Sequence, residues 1–331
     1  MAKTGVKAAK ETGPGPLTIA EQGSFFVGGR VVQSQTLSIT PDRPASGSIV
    51  VDQIYVHYQV PLHAYAQPKV VFIHGCCLTG KTWETTPDGR MGWDEYFVRK
   101  GYPTYVIDQS WRGRSAADPS AINAAHLGKA PIDTIPTVAS TGREAAWTVF
   151  RFGPEYGKTY PGMRFPASGL DEFFKQMVPD EFLALPLPNP TVPNLSTLSQ
   201  KLGRTVLISH SQSGNYPFQT AVLSPKGIAG IVAIEPGGCP AADGDLTPYA
   251  AIPIMILWGD NVDLSERWKP RLASCRAFAA ALRKVGGHVE LMVLPEIGVM
   301  GNSHMMMQDD NSLKIADLVI DWIRRNVPPK G

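Results

Sequence analysis

Six short runs of this chain, Lys69–Ile73, Thr104–Ile107, Arg204–Ile208, Ile228–Ile234, Ile252–Leu257 and Val289–Leu294, are almost unbroken in apolar residues. A strand of that composition has no polar face to turn to water, so it must be covered on both sides, as in a parallel sheet between helices. Helical patterns fill the intervals at Trp93–Lys100, Asn194–Leu202, Tyr216–Leu223, Ala273–Val285 and Leu313–Arg325. This alternation predicts a doubly wound α/β fold with a mostly parallel central sheet. Two earlier runs, Val31–Ile39 and Ile49–Val60, alternate polar and apolar residues and read as antiparallel edge strands.

Between 115 and 193 the rhythm stops. No strand pattern is visible there, proline is frequent, and Trp147, Phe150, Phe152, Phe165, Phe173, Phe174 and Phe182 follow one another. A structureless connection of that length is improbable in a compact domain. The segment is therefore expected to be a helical cap inserted between two parts of one core, 17–114 and 194–331, with its aromatics shaping an apolar pocket.

The residues with chemistry begin where the third of these parallel strands ends, in Ser209-His210-Ser211-Gln212-Ser213-Gly214. A strand, a sharp turn and a helix around a central serine form a nucleophile elbow, whose usual pattern is Gly-x-Ser-x-Gly. Serine stands at both glycine positions here and is small enough for the same bend. The elbow places the Gln212 N–H beneath the serine oxygen, at a helix start where unpaired amides favour negative charge. A second donor is expected from the loop after Val71-Phe72-Ile73, which reads His74-Gly75-Cys76-Cys77, with Cys76 placed to donate and Cys77 beside it.

A serine nucleophile needs a base later in the chain. His304 follows the last strand and fits the order serine, acid, histidine, whereas His288 lies inside a strand-like run and reads as structural. Three carboxylates compete for the acid. Asp260 and Asp263 follow one strand end, and Glu235 closes the buried run Ile231–Ile234, where an ionised group is costly unless paired. Trp111, after another strand end, is a candidate for the pocket wall.

Four strings, Gly23–Gly29, His74–Trp83, Ser209–Gly214 and Gly301–Met307, resemble the bacterial α/β-hydrolase esterases related to Alcaligenes esterase 713, and the likeness runs from about Leu17 to the C-terminus. The resemblance implies the α/β-hydrolase fold, a carboxylesterase activity with a Ser211-His304-Glu235 triad, and an acyl-enzyme intermediate. It also implies an oxyanion loop with Cys76 and Cys77 joined as a vicinal disulfide, a second disulfide between Cys239 and Cys275, and export to the periplasm.

Composition leaves other classes little room. The 331 residues are 43% hydrophobic and 18% charged, enough for a large core, and 31 Lys plus Arg balance 29 Asp plus Glu. No basic run invites nucleic acid or an anionic membrane. No apolar stretch approaches the ~20 residues of a membrane helix, and the N-terminus lacks the apolar centre of a signal peptide. Residues 1–16 are expected to form a flexible arm. Four cysteines allow two disulfides without requiring them, so composition leaves periplasm, secretion and cytoplasm open. Gly28-Gly29 lacks the strand and helix of a dinucleotide fingerprint, and no metal-ligand spacing appears, so neither cofactor nor metal is expected. The expected partner is a small-molecule ester; amidase or lactonase chemistry, a non-catalytic ligand-binding homologue, and a homodimer are left open.

Overall fold

The computed structural model describes residues 15–64, 67–181, 185 and 187–329. Of the arm expected over 1–16 only Gly15 and Pro16 fall within them, and Phe182 lies outside them.

In chain order the strands are β1 (Ile19–Val27), β2 (Arg30–Ser34), β3 (Gly47–Val51), β4 (Ile54–Pro61), β5 (Lys69–Ile73), β6 (Thr104–Asp108), β7 (Thr205–His210), β8 (Ile228–Ile234), β9 (Ile254–Trp258) and β10 (Val289–Val293). Eight of them form one sheet in the order β1-β4-β6-β5-β7-β8-β9-β10. The pairs from β6 to β10 are parallel, while β1 and β4 run antiparallel at one edge. The helices are α1 (Trp93–Arg99), α2 (Ser120–His126), α3 (Arg143–Val149), α4 (Leu170–Lys175), α5 (Thr191–Leu202), α6 (Tyr216–Leu223), α7 (Lys269–Lys284) and α8 (Ser312–Asn326). This is the α/β-hydrolase fold that the apolar runs called for.

Successive side chains of a strand point to opposite faces, and both faces here are apolar. Val70, Phe72, Val206, Ile208, Val232 and Ile234 pack with Trp93 and Phe97 of α1 and with Ile315, Val319 and Ile323 of α8. Their neighbours Val71, Ile73 and Leu207 pack on the other face with Leu195 and Leu198 of α5. Ile231, Ala233 and Ile256 meet Phe218 of α6 and Phe278 of α7 on that side. Burial of both faces explains why the sequence runs were continuous rather than alternating.

Two strand expectations change. The run Ile49–Val60 is not one strand, because Asp52 takes φ 71°, which a pleated strand cannot continue; β3 pairs instead with β2 as a separate ladder. Asp52 is fixed there by Arg30 at 2.5 Å and by the Trp111 indole N–H at 2.8 Å. The alternation also passed over β1, which pairs with β4 along the sheet edge and exposes much of one side.

Segment 115–193 holds the short helices α2, α3 and α4 and a two-residue antiparallel bridge, Ala139 with Asp180. Its aromatics pack on one another: Phe152 and Phe165 centroids lie 4.3 Å apart, and Phe150 meets Phe173 edge-on at 5.2 Å. They join a core that includes Met305, Met306 and Met307. The expectation that they shape a pocket over Ser211 is therefore corrected: they anchor the segment instead.

Candidate active site

The loops that follow β5, β7, β8, β9 and β10 meet at one end of the sheet, the carboxyl ends of the parallel strands, where open α/β sheets place their ligands. Ser211 follows β7 directly and takes φ 57°, a conformation that disfavours any residue with a Cβ. The bend leaves little room around it. A Cβ on Gly75 would stand 2.8 Å from His210 Nδ1 and 3.0 Å from Ser211 Cβ, and one on Gly214 would stand 2.4 Å from Pro236 Cα. Serine is accommodated at 213 because its hydroxyl finds partners: Oγ donates to the His210 carbonyl at 3.0 Å and accepts the His210 N–H at 3.2 Å. Cys77, Arg151 and Glu235 also adopt φ between 49° and 60°, so strained backbone gathers at this one place.

His304 and Glu235 are both fully buried, and His304 Nδ1 lies 2.9 Å from Glu235 Oε2. The carboxylate has two further partners. Arg151 grips it with Nη1 to Oε2 at 2.6 Å and Nη2 to Oε1 at 2.5 Å, and the Gly259 N–H donates to Oε1 at 2.5 Å. Burial alone would raise the carboxyl; the Arg151 charge and the His304 hydrogen bond outweigh it and bring it down to about 2. Burial dominates for the imidazole, lowering it to about 4 against the pull of Glu235. The ring is thus neutral at pH 7 and can accept a proton. Its buried Nε2 has no hydrogen-bond partner among the described residues. Packing against tilted rings holds the imidazole in place: Trp268 lies 4.1 Å away and His210 4.6 Å away, and His210 Nε2 donates to the His304 carbonyl at 2.9 Å.

Ser211, Gln212, Cys76, Cys77 and Trp268 line one cavity of about 320 Å³. Among the described residues the Cys76 and Cys77 N–H groups have no hydrogen-bond acceptor. The vicinal disulfide implied by the resemblance is corrected: both thiols are free and their sulfurs stand 3.2 Å apart, well beyond the ~2.05 Å of an S–S bond. They share a hydrogen bond, and Thr141 Oγ1 lies 3.0 Å from Cys77 Sγ. That sharing lowers Cys77 to about 7 and raises Cys76. The two thiols and Asp180 put ligand atoms within 4.8 Å of one another, a set that suits a soft cation, but Asp180 is already engaged by Arg112 and Gln212. Cys239 and Cys275, in contrast, are disulfide-bonded with Cα atoms 5.0 Å apart, tying α7 to the loop after β8.

The other candidates are placed elsewhere. Trp111 is not on the cavity wall, because its indole is turned to Asp52; Trp268 stands there instead. Asp263 is exposed on a 3-10 turn without a contact to His304. Asp260 braces the histidine's loop, accepting the Gly301 N–H at 2.8 Å. His288 is exposed at the entry to β10.

Three residues escaped sequence reasoning. Arg151 sits between Phe150 and Phe152, and a charge inside an apolar run was the one available sign that it has a buried acid to meet. Asp309 accepts the Ser303 N–H at 2.8 Å and the Ser303 hydroxyl at 2.7 Å, fixing the residue before His304. Trp268 gave no sign, since nothing local distinguishes it from core tryptophan.

Comparison with known proteins finds ester hydrolases. The solved structure of a novel bacterial esterase superposes with a TM-score of 0.93 at 58% identity, covering 96% of this chain and 99% of that one. A curated fungal relative, the probable secreted lipase phiG of Fungal sp. (strain ATCC 74256), is 27% identical over 321 residues, 82% of this chain and 86% of its own. No family model matches the chain. With 58% identity sustained over nearly its whole length, the chain belongs to the family of that bacterial esterase and is a carboxylesterase-type hydrolase of the α/β-hydrolase fold.

Proposed function

We propose that the chain hydrolyses carboxylic esters through an acyl-enzyme on Ser211, with His304 as general base and acid and Glu235 as its orienting carboxylate. The observation that carries this reading is the buried pair Glu235–His304 at 2.9 Å, with the far ring nitrogen left unpartnered and the ring 4.6 Å from that of His210, the residue that leads into the strained Ser211 turn. Ser211 Oγ attacks the ester carbonyl while its proton passes to His304 Nε2. The carbonyl oxygen becomes an anion facing the N–H groups of Cys76, Cys77 and Gln212, where one such donor is worth about 10²–10³ in rate. The acyl–oxygen bond then breaks, His304 returns the proton to the departing alkoxide, and the alcohol leaves. Water repeats the sequence, releasing the acid and restoring the serine.

Glu235 keeps Nδ1 protonated so that Nε2 is the basic atom, and its charge stabilises the imidazolium formed in each half-reaction. Segment 115–193 acts as the cap, supplying Arg151, Thr141 and Asp180 to the site. Two features support a periplasmic or secreted location: the Cys239–Cys275 disulfide and the fungal relative, itself named as secreted. A fluorophosphonate probe tests the reading. We expect stoichiometric label on Ser211, and Ser211→Ala to lower kcat on 4-nitrophenyl butyrate by about 10³-fold or more. A native chain that takes no label and turns over no ester would instead be a binding homologue, and turnover of amides alone would make it an amidase.

A further inference from the structure

One wall of the Ser211 cavity carries two cations that the reaction scheme does not use, Arg267 and Arg271. Both guanidinium groups stand over Trp268, at 5.5 Å and 5.2 Å from its ring centroid. The indole they flank is the one packed against the His304 ring. Arg271 is held by backbone carbonyls, with Nε donating to Gly237 at 2.9 Å and Nη1 donating to Arg267. Gly237 in turn donates its N–H to the Ser211 carbonyl at 2.6 Å, so the cation is fixed to the frame of the nucleophile.

Among the described residues neither arginine forms an ion pair with a carboxylate. The acids nearby are already engaged: Asp180 by Arg112 and Gln212, and Glu235 by Arg151, His304 and Gly259. The cavity therefore carries an excess of positive charge on one side. Arg271 is lowered by partial burial and by its like-charged neighbour, the strain expected of two cations without an anion between them. A cavity built only for neutral esters has no use for that arrangement, whereas a planar anion offers both guanidinium groups charge-assisted hydrogen bonds.

We propose that the preferred substrates are esters bearing a carboxylate, seated by Arg267 and Arg271 beside Trp268; the inference rests on Ser211 being the esterase nucleophile. Hemiesters of short dicarboxylic acids have this chemistry, as do esters whose alcohol part carries an acid group.

The test compares mono-4-nitrophenyl glutarate, charged on the acyl side, and 3-carboxy-4-nitrophenyl butyrate, charged on the leaving group, each with its own methyl ester. For at least one pair the native enzyme should favour the charged member by about tenfold or more in kcat/KM, chiefly through KM, with the preference shrinking as salt rises. Arg271→Gln and Arg267→Gln should each reduce that charged-to-neutral ratio, Arg271→Lys should restore part of it, and the double Gln variant should abolish it. Arg267 is exposed, so its variant reports even if Arg271→Gln destabilises the loop at Gly237. A native ratio at or below one in both pairs, or a ratio unmoved by the double variant, overturns the inference while neutral-ester turnover and Ser211 labelling stand. Failure of labelling and of all four esters would overturn both readings.

Discussion

The strand-end loops and segment 115–193 build the same site by different means. The loops inherit their positions from the sheet: Ser211 and Glu235 leave the adjacent parallel strands β7 and β8, and the Glu235 N–H still donates to Leu257 of the next strand at 2.8 Å. Among its described residues the segment forms isolated β-bridges and adds no strand to the sheet. It is held by aromatic packing and by a few polar ties such as the Trp268 indole donating to Val149 at 2.7 Å and the His304 N–H donating to Phe150 at 2.9 Å. Yet it delivers Arg151 to a carboxylate that would otherwise be buried with only His304 and the Gly259 N–H as partners. A regular scaffold supplies the reacting groups, and an irregular one sets their charge.

The sharpest way to break this division is to change Glu235, the proposed acid. Glu235→Gln should lower kcat on 4-nitrophenyl butyrate by about 10³–10⁴-fold, as loss of a triad acid does, with Asp263→Asn close to native. The reverse result would move the acid to the loop after β9.

The share of segment 115–193 is tested at Arg151. Arg151→Met leaves the Glu235 charge buried beside one fewer partner, and removing half of a buried pair costs about 3–5 kcal/mol of stability. Thermal unfolding measures that loss. A readout that mere destabilisation would not move is the pH profile: Arg151 lowers both the Glu235 carboxyl and the His304 ring, so without it both rise and the acid limb of kcat/KM shifts upward. An unshifted limb in folded Arg151→Met would reduce the arginine to a structural tie.

The smallest effect is the pH dependence of the native enzyme. In the proposed mechanism the neutral His304 ring is the active form and its value lies near 4, so kcat/KM should hold as pH falls below 6.5 and decline only as it passes through about 4. Stability has the same sign. Between 6.5 and about 4 an unfolded chain takes up a proton on this histidine that the native state refuses, so stability declines with falling pH across that window. An acid limb near 6.5 would mean that the ring is more exposed to water in the working enzyme.

The fold and the sharp turn at Ser211 were legible because their signals are local. Two-faced burial writes itself into continuous apolar runs such as Ile231–Ile234, and the turn at Ser211 demands small neighbours within two residues. Reading failed where contacts are remote in sequence. The spacing of Asp260, Asp263 and Glu235 could not choose among them, since only the packing of β8 against β9 and the return of the last loop bring one of them within 2.9 Å of His304.

The chain's own order of residues therefore determined the layered sheet, the serine turn at the end of β7 and the late histidine, each through the periodicity or steric demand of a short stretch. The tertiary structure alone decided that Arg151 clamps Glu235, that Cys76 and Cys77 stand as unbonded thiols, and that Arg267 and Arg271 flank Trp268 on the cavity wall. Those outcomes depend on which groups from distant segments share a buried volume, and desolvation and charge act across space without regard to position along the chain.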